Sequence, residues 1–224
     1  MTLTIILAEC GLELIPDSIR EYPSVKKNIS RDNYSSQLLD NALHHSVMKE
    51  LKNNLKRGRP DILHLCLLNA LGAPLNKSGN LNLFIHTINN KLFKVSPEVR
   101  IPKNYNRFKG LMAKLLIENK IEPDDISLIS PIRKSLDELI NQQTDSKKII
   151  FTRKGKLVRI YTELFTSNLS ENYVVVIGGF QKSTFSENIL KISKNLISIS
   201  DKSLHSWIVV GKVITYYEIL SNII

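Results

Sequence analysis

Two short cationic stretches carry the first chemistry legible in this chain. Arg57-Gly-Arg59-Pro60-Asp61 and Arg100-Ile-Pro-Lys103-Asn-Tyr-Asn-Arg107-Phe108 set their cations around prolines, beside segments that read as regular structure. Guanidinium groups held on stiff backbone suit a bidentate grip on phosphate oxygens. A surface shaped only for solubility would intersperse Lys and Glu evenly. The expected partner is therefore a nucleic acid. Asp61 admits two roles. An acid in the first turn of a helix is favoured by the helix dipole and lies within reach of Arg59; alternatively, one or both of this pair face a substrate base.

A second group of residues sits where strands should leave a sheet: Ile177-Gly178-Gly179-Phe180, Thr152-Arg-Lys-Gly155-Lys156 and Ile199-Ser200-Asp201-Lys202-Ser203-Leu204. Loops at the carboxyl ends of parallel strands are where open α/β sheets bind ligands. Adjacent glycines let backbone amides approach a ligand closely. The plainer alternatives are a tight turn at the glycines and a helix cap from Asp201 or Ser203. No GxGxxG or GxxxxGK[ST] string occurs, which argues against a dinucleotide fold or a P-loop. His44, His45, His64 and His86 read as core or surface histidines and form no hydrolytic set. Cys10 and Cys66 lack the spacing of a disulfide framework or a zinc site, so no metal is expected. Trp207 reads as a packing or interface residue.

The elements that must position these residues follow from periodicity. Leu3 to Ala8 is apolar throughout, the pattern of a strand buried on both faces. Apolar residues from Leu38 to Leu55 recur at helical spacing, predicting one helix over 35–55 that Gly58 ends. Pro60 opens a second, buried helix to Leu71. Leu81–Thr87 and Lys91–Ser96 flank Asn89-Asn90 as a β-hairpin, which reads as an insertion on the core. A further helix carries Phe108, Leu111, Met112, Leu115 and Leu116. The region 120–132 is weakly patterned, and a short helix follows through Leu136, Leu139 and Ile140. Three β-branched runs, 148–152, 173–177 and 195–199, alternate with turns and helices before a last helix from Leu204 to Leu220. That alternation predicts an α/β parallel sheet.

Composition sets the bounds. The chain has 224 residues, of which 42% are hydrophobic, with a mean hydropathy of -0.09. One domain with an insertion, or two small domains, can bury a full core at this length. Lys plus Arg exceeds Asp plus Glu by 10, 31 against 21, which favours polyanions. The N-terminus has no basic leader and no stretch reaches the ~18 apolar residues of a spanning helix. A soluble, cytoplasmic protein is expected.

The strings from Arg57 to Asn76, Leu83 to Thr87 and Arg100 to Phe108 closely resemble the small-subunit ribosomal RNA pseudouridine N1-methyltransferases. The pair Val175-Val-Ile-Gly-Gly-Phe180 and Leu196-Ile-Ser-Ile-Ser200 resembles their cofactor loops. The likeness spans nearly the whole chain in motif order. It implies a SPOUT-type α/β fold: a parallel sheet with helices on both faces, a C-terminal trefoil knot and a small hairpin-containing insertion. It implies one domain over 1–224 with an RNA-binding extension at about 30–110, a homodimer, and action in the cytoplasm, or the nucleolus of a eukaryote. S-adenosyl-L-methionine would be held by Thr152, Gly178, Gly179, Ser183, Ile199, Ser200, Asp201, Lys202, Ser203 and Leu204. The RNA contacts that carry over are Arg59, Asp61, Arg100, Lys103 and Arg107, with Asp61 the candidate catalytic residue. Lys103 stands where the pattern usually has Arg, which keeps the charge and loses the fork; Ser183 stands where many relatives have Gly. The rival readings are a non-enzymatic RNA-binding ribosome assembly factor on the same fold and a ribose 2′-O-methyltransferase.

Overall fold

The computed structural model of the chain describes residues 2–30, 32–166 and 171–224. Seven strands form one sheet in the order β4-β3-β2-β1-β6-β5-β7. They are β1 (Leu3–Cys10), β2 (Leu81–Thr87), β3 (Leu92–Val95), β4 (Ile129–Pro131), β5 (Ser146–Leu157), β6 (Asn172–Gly178) and β7 (Leu196–Ser198). The main helices are α1 (Asn41–Met48), α2 (Pro60–Gly72), α3 (Tyr105–Glu118), α4 (Leu136–Asn141), α5 (Glu187–Lys191) and α6 (Ser206–Leu220).

The uninterrupted apolar run of β1 is explained by its place. All eight of its residues are buried, because it lies between β2 and β6, parallel to both, with helices above and below. Leu3, Ile5 and Leu7 meet the side chains of α2, α3 and α6 on one face. Ile6 and Ala8 meet Leu136 and Ile140 of α4 and Ile189 of α5 on the other. Helices thus cover both faces, as expected, but the sheet is mixed. β5, β6, β1, β2 and β7 run parallel, and β3 and β4 are antiparallel additions at one edge.

Three expectations are corrected. The hairpin forms, but it is not an insertion: β2 pairs directly with β1 and supplies that half of the sheet. The excursion from the core is instead the chain between β1 and α2, with its own apolar cluster of Ile15, Ile19, Val25, Leu39, Val47, Met48 and Leu51. The helix expected over 35–55 is broken into a 3-10 turn at Tyr34–Gln37, α1, and a second 3-10 turn at Asn54–Lys56. Asp40 prefers to cap α1, accepting from the Ala42 N–H at 3.0 Å, and Asn53 takes a left-handed conformation. Leu43 and Leu55 are left on the surface. Finally, the unpatterned stretch after Lys120 contains β4, three residues long and too short to show alternation. No helix among the described residues is long and apolar enough to cross a membrane.

Candidate functional site

Parallel pairing brings the carboxyl ends of β5, β6 and β7 to one edge of the sheet, and an open cleft with an empty volume of about 720 Å³ lies over them. Of the expected cofactor residues, Thr152, Gly178, Ser183, Ile199, Ser200, Lys202, Ser203 and Leu204 line it. Gly179 and Asp201 are not brought to its wall. Gly179 packs instead on β1, where a Cβ would lie 2.3 Å from the Cys10 Sγ. Neither Asp201 nor Ser203 caps α6, whose N-cap is His205 with no side-chain bond to the helix. The start of α6 is held differently, the Ser206 hydroxyl donating to the Gly178 carbonyl at 2.5 Å. Phe180 and Phe185 also line the cleft, edge to face with centroids 5.4 Å apart. The sequence signal for Phe180 was its place directly after the glycines; Phe185 had none. The result is a slot with aromatic and aliphatic walls and scattered hydroxyls, the usual make-up of a small-ligand site.

The cationic loop 56–61 is fixed by carboxylates rather than free. Arg59 forks onto Asp61, its Nε and Nη2 donating at 2.7 and 2.6 Å to the two carboxylate oxygens. Arg57 forks in the same way onto the buried Glu13, at 2.8 and 2.6 Å. Lys56 turns inward to Glu9 at 2.7 Å, with its ammonium 5.0 Å from the Phe180 ring centre. Removing one member of a buried pair such as Lys56–Glu9 or Arg57–Glu13 typically costs about 3–5 kcal/mol, so these two pairs hold the loop in one geometry, and the more exposed Arg59–Asp61 fork adds less. The backbone adds a direct bridge: the Gly11 N–H donates to the Gly179 carbonyl, and the Arg59 N–H donates to the Gly11 carbonyl. Only a glycine fits between, since a Cβ at Gly11 would lie 2.6 Å from the Lys56 carbonyl oxygen.

Arg100, Lys103 and Arg107 are exposed. They stand on a segment tied to α2 by His64, whose Nε2 lies 2.7 Å from the Pro102 carbonyl oxygen and whose ring stacks on Phe108 at 4.2 Å. The Asn104 side chain accepts from the Arg107 N–H and caps α3. Below, the buried Asp40 accepts from both the Tyr105 hydroxyl and the Lys109 ammonium at 3.1 Å. Burial pushes the nearby His44 below the usual imidazole range. Of the core and surface roles expected for the histidines, His64 takes the buried one, and it also positions the strip. Among the described residues no group of three or more His, Cys, Asp or Glu could hold a metal ion.

A cleft over the carboxyl ends of parallel strands, one backbone bridge away from a fixed cationic loop, is the arrangement of an α/β protein that brings a small ligand up to a polyanion. The chain belongs to the EMG1/NEP1 methyltransferase family, whose profile matches residues 5–218. It is 41% identical over 225 residues to the ribosomal RNA small subunit methyltransferase Nep1 of Staphylothermus marinus, covering 99% of this chain and 97% of that one. Over 203 residues it is 42% identical to the protein of the same name from Saccharolobus solfataricus, covering 89% of each. The crystal structure of Archaeoglobus fulgidus Nep1 bound to S-adenosylhomocysteine is similar at a TM-score of 0.87 and 34% identity, covering 99% of this chain and all of that one.

Proposed function

We propose that this protein transfers the methyl group of S-adenosyl-L-methionine to N1 of a specific pseudouridine in small-subunit ribosomal RNA, as a step of ribosome biogenesis. The observation that carries this reading is the Gly179–Gly11–Arg59 backbone bridge, which sets the cofactor cleft against the RNA loop. The chemistry of the cleft fits the cofactor: Phe180 and Phe185 offer apolar faces beside the hydroxyls of Thr152, Ser183, Ser200 and Ser203, the mix of apolar wall and few polar groups that small-molecule sites share. When bound, the sulfonium supplies an electrophilic methyl. What this chain contributes is position: the Arg59–Asp61 pair, Arg100, Lys103 and Arg107 hold RNA so that the acceptor nitrogen meets the methyl in line. A base in a stem or closed loop has to be turned out to reach the cleft.

The same reading takes the C-terminal strands as a trefoil knot. In support, Ile197 pairs with both Phe151 and Lys156 of β5, so residues 152–155 bend around β7. A homodimer is supported by the apolar Ile208 and Ile219, exposed three turns apart on α6. The cytoplasm, or a nucleolus, is the proposed place of action. Retention of a formed cleft favours the enzyme over a non-enzymatic assembly factor. Mass mapping of small-subunit RNA from cells with and without the protein tests the reading: a pseudouridine lacking one methyl when the protein is absent is expected. A missing ribose methyl would favour the 2′-O alternative, and no change would favour the assembly factor.

Arg100→Ala and Arg107→Ala are each expected to weaken RNA binding and flatten its salt dependence by about 0.7 in the log–log slope on single-stranded RNA. S-adenosylhomocysteine affinity should stay the same, because neither residue lines the cleft. Unchanged RNA binding in both variants would make the strip an ordinary solvated surface.

A further inference from the structure

A second groove, with an empty volume of about 1080 Å³, opens between α1 and the turn at Gln181–Lys182, and His45, Lys49, Leu55, Arg57, Gln181 and Lys182 are among its lining residues. Gln181 lines the cofactor cleft as well, so the two depressions share that residue. We propose that this groove carries the sugar-phosphate chain of the nucleotides flanking the target base as it leaves the mouth of the cleft. The proposal rests on the reading of the protein as an RNA methyltransferase and names where that RNA runs.

Charge is the first argument. Among the described residues no Asp or Glu lines the groove. The Arg57 guanidinium is committed to Glu13, and Lys56, just behind it, to Glu9. Lys49 and Lys182 are exposed, and neither is ion-paired among the described residues. The uncompensated charge is thus two ammonium groups, one on each wall, placed as point charges for phosphate rather than as forks. Leu55 is the second argument. It is 60% exposed in the groove beside the two lysines, and removing that apolar face from water favours an occupant that covers it. A single RNA strand offers both chemistries at once, phosphates for the lysines and base or ribose faces for the leucine. Connectivity is the third. A base turned into the cleft leaves its backbone at the mouth, and the chain must continue from there. The groove shares the exposed Gln181 with the cleft, so it offers the chain a path onward. The strip from Arg100 to Arg107 contributes nothing to this groove, so the two surfaces are separate parts of the RNA path.

The test uses two hairpins carrying pseudouridine, one ending close to the loop and one extended by about four unpaired nucleotides on each side, bound in the presence of S-adenosylhomocysteine. Wild-type protein is expected to hold the longer RNA more tightly, with a salt slope steeper by about 1.4, two contacts of ~0.7 each. Between about 50 and 200 mM salt that difference amounts to roughly sevenfold in affinity. Lys49→Ala/Lys182→Ala should remove the increment while leaving the short hairpin, the cofactor affinity and the thermal midpoint unchanged. Leu55→Ser should lower affinity for the longer RNA without altering the slope. Survival of the increment in the double variant, or equal losses on both hairpins, overturns the groove assignment. Failure of wild-type protein to methylate either hairpin would overturn the enzymatic reading instead and would leave the binding increment measurable.

Discussion

A hairpin carrying pseudouridine is expected to be methylated by this protein, and the same hairpin carrying uridine to be bound and left unmodified. The reason is covalent. Pseudouridine is joined to ribose through carbon, so its N1 bears a hydrogen that can depart. In uridine N1 carries the sugar and has neither a hydrogen nor a free valence. Binding should differ little, since phosphate contacts of the kind proposed for Arg100, Lys103 and Arg107 do not sense the base. Product mass after incubation with the methyl donor reads the outcome, and a methylated uridine hairpin would refute the N1 assignment. Asp61 enters the same experiment. Both of its oxygens accept from Arg59, which fits a partner that shapes the loop better than a base waiting for a proton. Asp61→Asn should therefore keep the single-turnover rate at saturating RNA within about threefold, while RNA affinity falls about tenfold, or ~1.4 kcal/mol. A collapsed rate with intact RNA binding would give the carboxylate the proton instead.

How much of this was legible in the sequence depends on how local each determinant is. β1 and β6 announce themselves because strands buried on both faces need no polar alternation. α2 begins where Pro60 says it should. The hairpin was legible as a hairpin, but its place was not. That place is set by parallel pairing of Leu3 with Leu81 and its neighbours, a partnership across nearly eighty residues that leaves no mark on either strand alone. The 35–55 helix failed for the opposite reason: its apolar spacing continues, yet Asp40 and Asn53 have better uses as a cap and a left-handed turn. In the site, the cationic loops and the Arg59–Asp61 pair could be found from residue type and spacing, whereas the carboxylates that fix Lys56 and Arg57 could not. Glu9 and Glu13 lie in an apolar stretch more than forty residues from Lys56 and Arg57, and only the fold makes them partners. The groove at Gln181 is of the same kind, since α1 and the 181–182 turn meet only in the folded chain.

The glycines show the same limit and give the other large expected effect. Gly178 and Gly179 look alike in sequence, but their neighbours differ. A Cβ at Gly178 would approach the Phe180 ring at 2.8 Å, and a ring at the mouth of a cleft can swing aside. A Cβ at Gly179 would lie 2.9 Å from the Cys10 Cα and one at Gly155 would lie 2.4 Å from the Ile197 nitrogen. No rotamer relieves contact with backbone, so strands must separate. Gly155→Ala and Gly179→Ala are each expected to cost about 3 kcal/mol or more, at the upper end of overpacking penalties. For a chain of this size that is a fall of roughly 6–12 °C in Tm, out of a total stability of only about 5–15 kcal/mol. Gly110→Ala, in the middle of α3 with nothing within 4 Å of its added Cβ, should instead raise Tm by about 2–4 °C, because alanine is about 1 kcal/mol the better helix former. Gly178→Ala should leave Tm nearly unchanged and weaken S-adenosylhomocysteine binding at least tenfold, about 1.4 kcal/mol, as Phe180 is pushed into the space the ligand needs. Thermal unfolding and calorimetric titration of the four variants separate these cases. If Gly155→Ala melts with the wild type, β5 does not bend around β7 as closely as these contacts require, and the support they give to a threaded C-terminus is withdrawn. If Gly178→Ala binds the cofactor product with full affinity, Phe180 is not a wall of the cofactor site.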